Sequence, residues 1–172
     1  MRDGWESKWK ELFFELFTPS EHLQKLLKER SIEGEYAAVH IRFVNALDPF
    51  EEEYGSHLSD REKEDLIKQC LSALRDIRQA EMDRRIIVFS DSVRFLERAK
   101  SNGFSTLDLS GIGHISFSKN ELIHDKTFID FFAMAKAEKV YSIRGRNLYN
   151  SVFSRYAAVI GNGRYIEKRI DP

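Results

Sequence analysis

The sequence predicts an α/β fold in which a mostly parallel sheet carries helices on both faces. Three observations lead there. Short runs rich in apolar and β-branched residues recur at 36–43, 85–89 and 139–143. Amphipathic helical patterns separate them, which is the spacing of βα units rather than of hairpins. The composition, 42% hydrophobic and 32% charged, supplies a core and a solvated surface, which excludes a disordered tail. A length of 172 residues suits one domain, or one lobe of something larger.

Each element has a local reason. Trp5, Trp9, Leu12, Phe13, Leu16 and Phe17 recur at helical spacing and predict a helix over 5–17. A second helix is expected to start at Thr18 as N-cap, with Pro19 at its first position and Glu21 completing a capping box. Leu23, Leu26 and Leu27 form its apolar face, and Gly34 lies past its end. These helices, residues 1–34, read as a connector or added layer ahead of a lobe over 35–172. The first strand is 36–43. An acidic stretch interrupted by Pro49 and Gly55 predicts a loop over 44–58. Ser59 and Glu62 form a capping box for a helix over 60–79, with Leu66, Cys70, Leu71, Leu74 and Ile77 facing inward. A strand at 85–89, a helix at 92–101 closed by Gly103, and a weaker strand at 105–109 follow. A Gly-containing loop is expected over 110–124, a helix over 126–137, a strand over 139–143, a helix over 151–160 and a last short strand or arm over 164–168. This βα alternation is Rossmann-like.

Several function classes are excluded. Twenty-seven basic against 28 acidic residues give a formal charge of −1, without the basic excess of a general nucleic-acid binder. No apolar run approaches the roughly 18 residues of a membrane span. The polar start, Met1-Arg2-Asp3-Gly4-Trp5, has no apolar signal region. Cys70 stands alone, so no internal disulfide can form. A cytoplasmic location is therefore expected. Histidines at 22, 40, 57, 114 and 124 form no i,i+4 pair, and no structural metal is expected. The P-loop, dinucleotide and nucleophile-elbow motifs are absent, as is any D-x-D clamp for a metal diphosphate.

Ligands of such a sheet bind beyond the carboxyl ends of its strands. His40 and Arg42, two apart at the end of the first strand, project to one face. They read either as a core histidine with a rim arginine or as an anion site, since a guanidinium is a rigid fork suited to phosphate. Ser90 or Asp91, after the second strand, reads most simply as a helix cap. The 139–143 strand leads into Arg144-Gly145-Arg146-Asn147 and then Asn150-Ser151-Val152-Phe153-Ser154. That second group opens a helix, with Asn150 or Ser151 as N-cap, or with the helix's unpaired N–H groups turned to an anion.

Taken together, these segments resemble the donor-binding half of GDP-fucose-dependent fucosyltransferases, the group of bacterial α-1,2-, α-1,6- and protein O-fucosyltransferases. His40-Ile41-Arg42 matches the start of their H-[IV]-R-x-G-D motif, while Val44-Asn45 replaces its Gly-Asp. Ser90-Asp91 matches a Ser/Thr-Asp pair ending a strand. Asp130 stands where the third motif has an aspartate opening a helix. Asn150-Ser151-Val152-Phe153-Ser154-Arg155-Tyr156-Ala157-Ala158 then resembles N-S-T-F-S-W-W-A-A, the most specific of the matches. The resemblance runs over about residues 36–165, in order and spacing.

The resemblance implies one lobe of a GT-B-like, metal-independent inverting glycosyltransferase that moves fucose from GDP-fucose to a glycan hydroxyl. Arg42 would be catalytic, meeting the β-phosphate and stabilising the leaving group. His40, Asp91 and Asp130 would help to hold the nucleotide, with Ser151, Phe153 and Ser154 completing the phosphate site. GDP-fucose is the donor substrate, and no cofactor is implied. The acceptor-binding lobe is not within 172 residues, so a further lobe is expected as partner. A non-catalytic nucleotide-binding or interaction module with the same fold stays open as the alternative, as does a transferase for another nucleotide-sugar.

Overall fold

A largely apolar run buried at every position, residues 36–41, forms the middle of the sheet, as expected of a strand covered on both faces. The computed structural model describes residues 4–48, 58–82, 84–107 and 121–170, the first four of the last segment without their side chains. Most of the loops expected over 44–58 and 110–124, and the end of the strand expected over 105–109, lie outside them. The elements are α1 (Gly4–Leu16), α2 (Glu21–Glu29), β1 (Tyr36–Ile41), α3 (Asp60–Glu81), β2 (Arg85–Ser90), α4 (Val93–Ser101), β3 (Ser105–Thr106), α5 (Glu121–Lys136), β4 (Lys139–Arg144), α6 (Phe153–Gly161) and β5 (Arg164–Arg169). The strands form one five-stranded sheet in the order β3-β2-β1-β4-β5. Every pairing is parallel. The fold is the expected Rossmann-like α/β arrangement.

Strand alternation builds two cores. Ala37, Val39 and Ile41 of β1 meet Ile67, Cys70 and Leu74 of α3 and Phe95 of α4. Tyr36 and Ala38 face the other way, towards Met134 of α5 and Ala157 and Ile160 of α6. By the same alternation His40 belongs to the α5–α6 face. Helices α1 and α2 lie outside this second layer, α1 on α6 and α2 on α5. Trp9 stacks obliquely on Tyr156, with ring centroids 4.9 Å apart. Phe13 does so on Phe131 at 5.8 Å. Helix α1 stays superficial: none of its residues is buried.

Helix ends follow local chemistry, with some shifts from expectation. The capping box of α3 is formed by Ser59 and Glu62. Helix α2 starts later than expected, because Ser20 rather than Thr18 is the cap; its Oγ accepts from the Leu23 N–H at 3.3 Å. Helix α5 begins at Glu121, five residues before the expected start. Helices α5 and α6 approach so closely that a Cβ on Gly161 would lie 1.6 Å from the Ala135 carbonyl oxygen. Only glycine fits there.

The amino end of the sheet is closed by a buried carboxylate. Glu81 accepts from Lys139 Nζ at 2.8 Å, the Tyr141 hydroxyl at 2.5 Å and Arg84 Nη1 at 3.1 Å. Burial works against its charge, yet these three donors hold the carboxyl below its usual range. Among the described residues, no helix is long and apolar enough to cross a membrane.

Candidate functional site

The order β3-β2-β1-β4-β5 puts a topological switch between β1 and β4, where the chain leaves adjacent strands towards opposite faces and opens a crevice. His40 and Arg42 end one wall, and the segment from Arg144 to α6 forms the other. A main-chain bond joins them: the Tyr149 N–H donates to the Arg42 carbonyl at 2.9 Å.

His40 lies at the centre, 7% exposed, with its ring centroid 5.7 Å from that of Phe153. Burial, and then the cations Arg42, Arg144 and Lys126, push its pKa down to about 3. Its imidazole is therefore neutral, able to donate from one ring nitrogen and accept on the other.

Arg42 stands just past β1, its Nε 3.5 Å from Asp91 Oδ2. Asp91 also accepts from the Phe43 and Val44 N–H groups at 2.8 and 2.9 Å. Burial pushes the Asp91 carboxyl up, against the pull of Arg42 and these amides. Neither Ser90 nor Asp91 caps α4; Ser92 does, its Oγ accepting from the Phe95 N–H at 3.1 Å. Asp91 instead fastens the turn after β1 and orients Arg42. In that turn Val44 takes φ +53°, a left-handed conformation that strains a β-branched residue. It stands where the fucosyltransferase motif has glycine.

Asp130 does not open a helix. It lies in the second half of α5, where Lys126, one turn earlier, donates to its carboxylate, both side chains being nearly buried. Burial raises the Asp130 carboxyl, and Lys126 opposes that rise.

At α6 the N-cap position belongs to Val152, which offers no capping side chain, so neither Asn150 nor Ser151 is the cap. Ser151 Oγ accepts from the Phe153 N–H at 3.2 Å. The Ser154 side chain is wholly buried, and its Oγ has no hydrogen-bond partner among the described residues. The Val152 side chain makes no cap bond at this helix start, and N–H groups left unpaired at a helix N-terminus are the kind that face anions. Phe153 bridges His40 and Phe131, with a 5.2 Å centroid separation to the latter. A groove of about 380 Å³, walled by Trp9, Phe13, Phe131, Tyr149 and Tyr156, opens on this helix start.

The structure sets His40 against Phe153, Arg42 beside Asp91, and the Arg42 carbonyl on the Tyr149 N–H, two residues ahead of Ser151. Asp130 is joined to Lys126 within α5, and the Ser154 hydroxyl is enclosed within α6. Sequence reasoning missed Lys126, whose i,i+4 spacing to Asp130 was the available signal, and the aromatic wall from α1. Among the described residues, no group of three or more His, Cys, Asp or Glu side chains is placed to hold a metal ion.

No protein-family model matches this sequence. No curated protein matches it either. Solved structures do match in fold. The chain is similar to the NodZ α-1,6-fucosyltransferase soaked with GDP-fucose, at 15% identity and a TM-score of 0.55, over 87% of this chain and 45% of that one. It is similar also to the fucosyltransferase NodZ from Bradyrhizobium, at 16% identity and a TM-score of 0.57, over 86% and 44% of the two chains. The chain therefore spans less than half the length of these fucosyltransferases, and within that span its parallel α/β fold is fucosyltransferase-like.

Proposed function

We propose that this chain is the GDP-fucose-binding lobe of a metal-independent inverting fucosyltransferase. One observation supports the reading: the Tyr149 N–H, in the loop that leads into α6, donates to the Arg42 carbonyl and so ties that loop to the end of β1. In the transfer, an acceptor glycan hydroxyl forms a bond to the anomeric carbon of fucose. The bond from that carbon to the β-phosphate oxygen breaks, and its electron pair leaves on GDP. The hydroxyl proton goes to a base on the acceptor side. Arg42 and the α6 N–H groups compensate the charge that gathers on the departing diphosphate, the work a cation does elsewhere. Asp91 keeps the guanidinium aligned. Neutral His40 and the Lys126–Asp130 pair offer hydrogen bonds to the nucleotide, and the Ser151 hydroxyl completes the cradle, with Ser154 buried behind it in α6.

In this reading residues 1–34 are a connector, residues 35–172 are the nucleotide-sugar lobe, and the work is done in the cytoplasm with an acceptor-binding lobe as partner. The isolated chain then binds nucleotide but transfers fucose poorly, because aligning the acceptor accounts for ~7–11 kcal/mol of such a barrier. A second reading, a nucleotide-binding module without catalysis, is favoured by Val44-Asn45 in place of the Gly-Asp motif. Calorimetry of GDP in the presence of a chelator tests the proposal. Binding is expected; binding that needs Mg²⁺ or Mn²⁺ contradicts it. Transfer activity on addition of an acceptor lobe separates the enzyme from the module.

A further inference from the structure

Arg144 ends β4 with its guanidinium engaged on two sides. Nη1 donates to the Asn150 side-chain oxygen, and Nη2 to the Tyr165 hydroxyl at 2.9 Å. Glu167 stands 3.7 Å behind, and only 11% of the arginine side chain is exposed. A guanidinium has donors only, so the Asn150 amide must turn its oxygen towards Arg144 and its NH₂ away. Asn150 is exposed and lies just ahead of α6. The loop from β4 to α6 is thus held twice: through its main chain to Arg42, and through Asn150 to Arg144.

We propose that Arg144 is a positioning residue for the anion site: by anchoring Asn150 it fixes residues 149–153, and with them the start of α6, opposite Arg42. The inference rests on the donor-site reading above. Tyr165 and Glu167 brace the guanidinium from the edge strand β5, so the anchor reaches from the sheet edge to the crevice. Arg144 acts through Asn150 rather than by touching the ligand. Its shape therefore matters as well as its charge, since an ammonium cannot hold both Asn150 and Tyr165 in the plane of one fork.

The test is calorimetry of GDP and of inorganic pyrophosphate with the wild-type chain, Arg144→Met, Arg144→Lys, Asn150→Ala and the Arg144→Met/Asn150→Ala double variant, with a melting temperature for each. Either single loss is expected to weaken GDP about tenfold, the scale of one charge-assisted hydrogen bond. The double variant is expected to bind no worse than the weaker single, because both changes remove one anchor. Arg144→Lys is expected to stay near Arg144→Met. Losses that multiply in the double variant, full recovery by Arg144→Lys, or unchanged affinity with a lowered melting temperature would each overturn the role. If Arg144→Met does not fold, Tyr165→Phe, which removes only the bracing hydroxyl, takes its place in the cycle. A wild-type chain that binds pyrophosphate but not GDP defeats the donor reading alone, and the cycle is then read with pyrophosphate. A chain that binds neither defeats both.

Discussion

His40 should make the fold sensitive to acid, and a His40→Asn variant should lose that sensitivity. The folded imidazole titrates at about 3, held there by burial and by Arg42 beyond β1, Arg144 on β4 and Lys126 on α5. In the unfolded chain it titrates near 6.5. Between these values the unfolded state binds a proton that the folded state refuses. Stability therefore falls as pH drops below about 6.5, by roughly 1.4 kcal/mol per pH unit, so that about 2 kcal/mol is lost by about pH 5. Asp91 and Asp130 act in the opposite sense. Burial raises both carboxyls, so the folded state takes up their protons first and gains stability as pH falls. The informative quantity is thus the difference between wild type and His40→Asn, measured by urea unfolding at several pH values from neutral to about 5. The difference should change by about 2 kcal/mol over that range. Parallel pH profiles for the two proteins, or an imidazole that titrates near 6.5 in the folded state by NMR, would refute the buried, cation-flanked His40.

Two further substitutions probe the supports of the site. Asp91→Ala removes the acceptor of the Phe43 and Val44 N–H groups and the partner of Arg42. It should cost about 2–3 kcal/mol in denaturant unfolding and weaken GDP as well, since hydrogen bonds to a buried charge are worth ~1.5–3 kcal/mol; full stability would show that the turn after β1 holds itself. Gly161→Ala drives a methyl group into the Ala135 carbonyl and should destabilise by ~3 kcal/mol or more, the upper range for overpacking. A melting temperature equal to that of wild type would disprove the close approach of α5 and α6.

The central strand was legible because a parallel strand covered on both faces needs no alternation, and Tyr36 to Ile41 is apolar almost throughout. The start of α3 was legible because Ser59 and Glu62 lie within one turn of each other. Pro19 pointed to Thr18 as the start of α2, whereas the contact of Ser20 with Leu23 sets the start two residues later. The beginning of α5 was hidden because its apolar residues surround the helix and blur the period. Asp91 followed the local rule for a cap, whereas its actual partners lie 47 and 48 residues earlier in the chain. Lys126 and Asp130 showed their spacing but not their burial, which depends on the sheet beneath them. No local pattern around Gly161 indicates that the Ala135 carbonyl will come to lie against it.

The most direct measurement compares GDP and GMP on Arg42→Ala. If Arg42 meets the β-phosphate, it has no partner in GMP. Loss of a charge-assisted hydrogen bond of ~1.5–3 kcal/mol should weaken GDP about tenfold or more and leave GMP nearly unchanged. Arg42→Lys should recover part of the GDP affinity, as a point charge replaces a planar fork. Equal losses for GDP and GMP, accompanied by a lowered melting temperature, would make Arg42 a support of the fold and remove the diphosphate from the crevice.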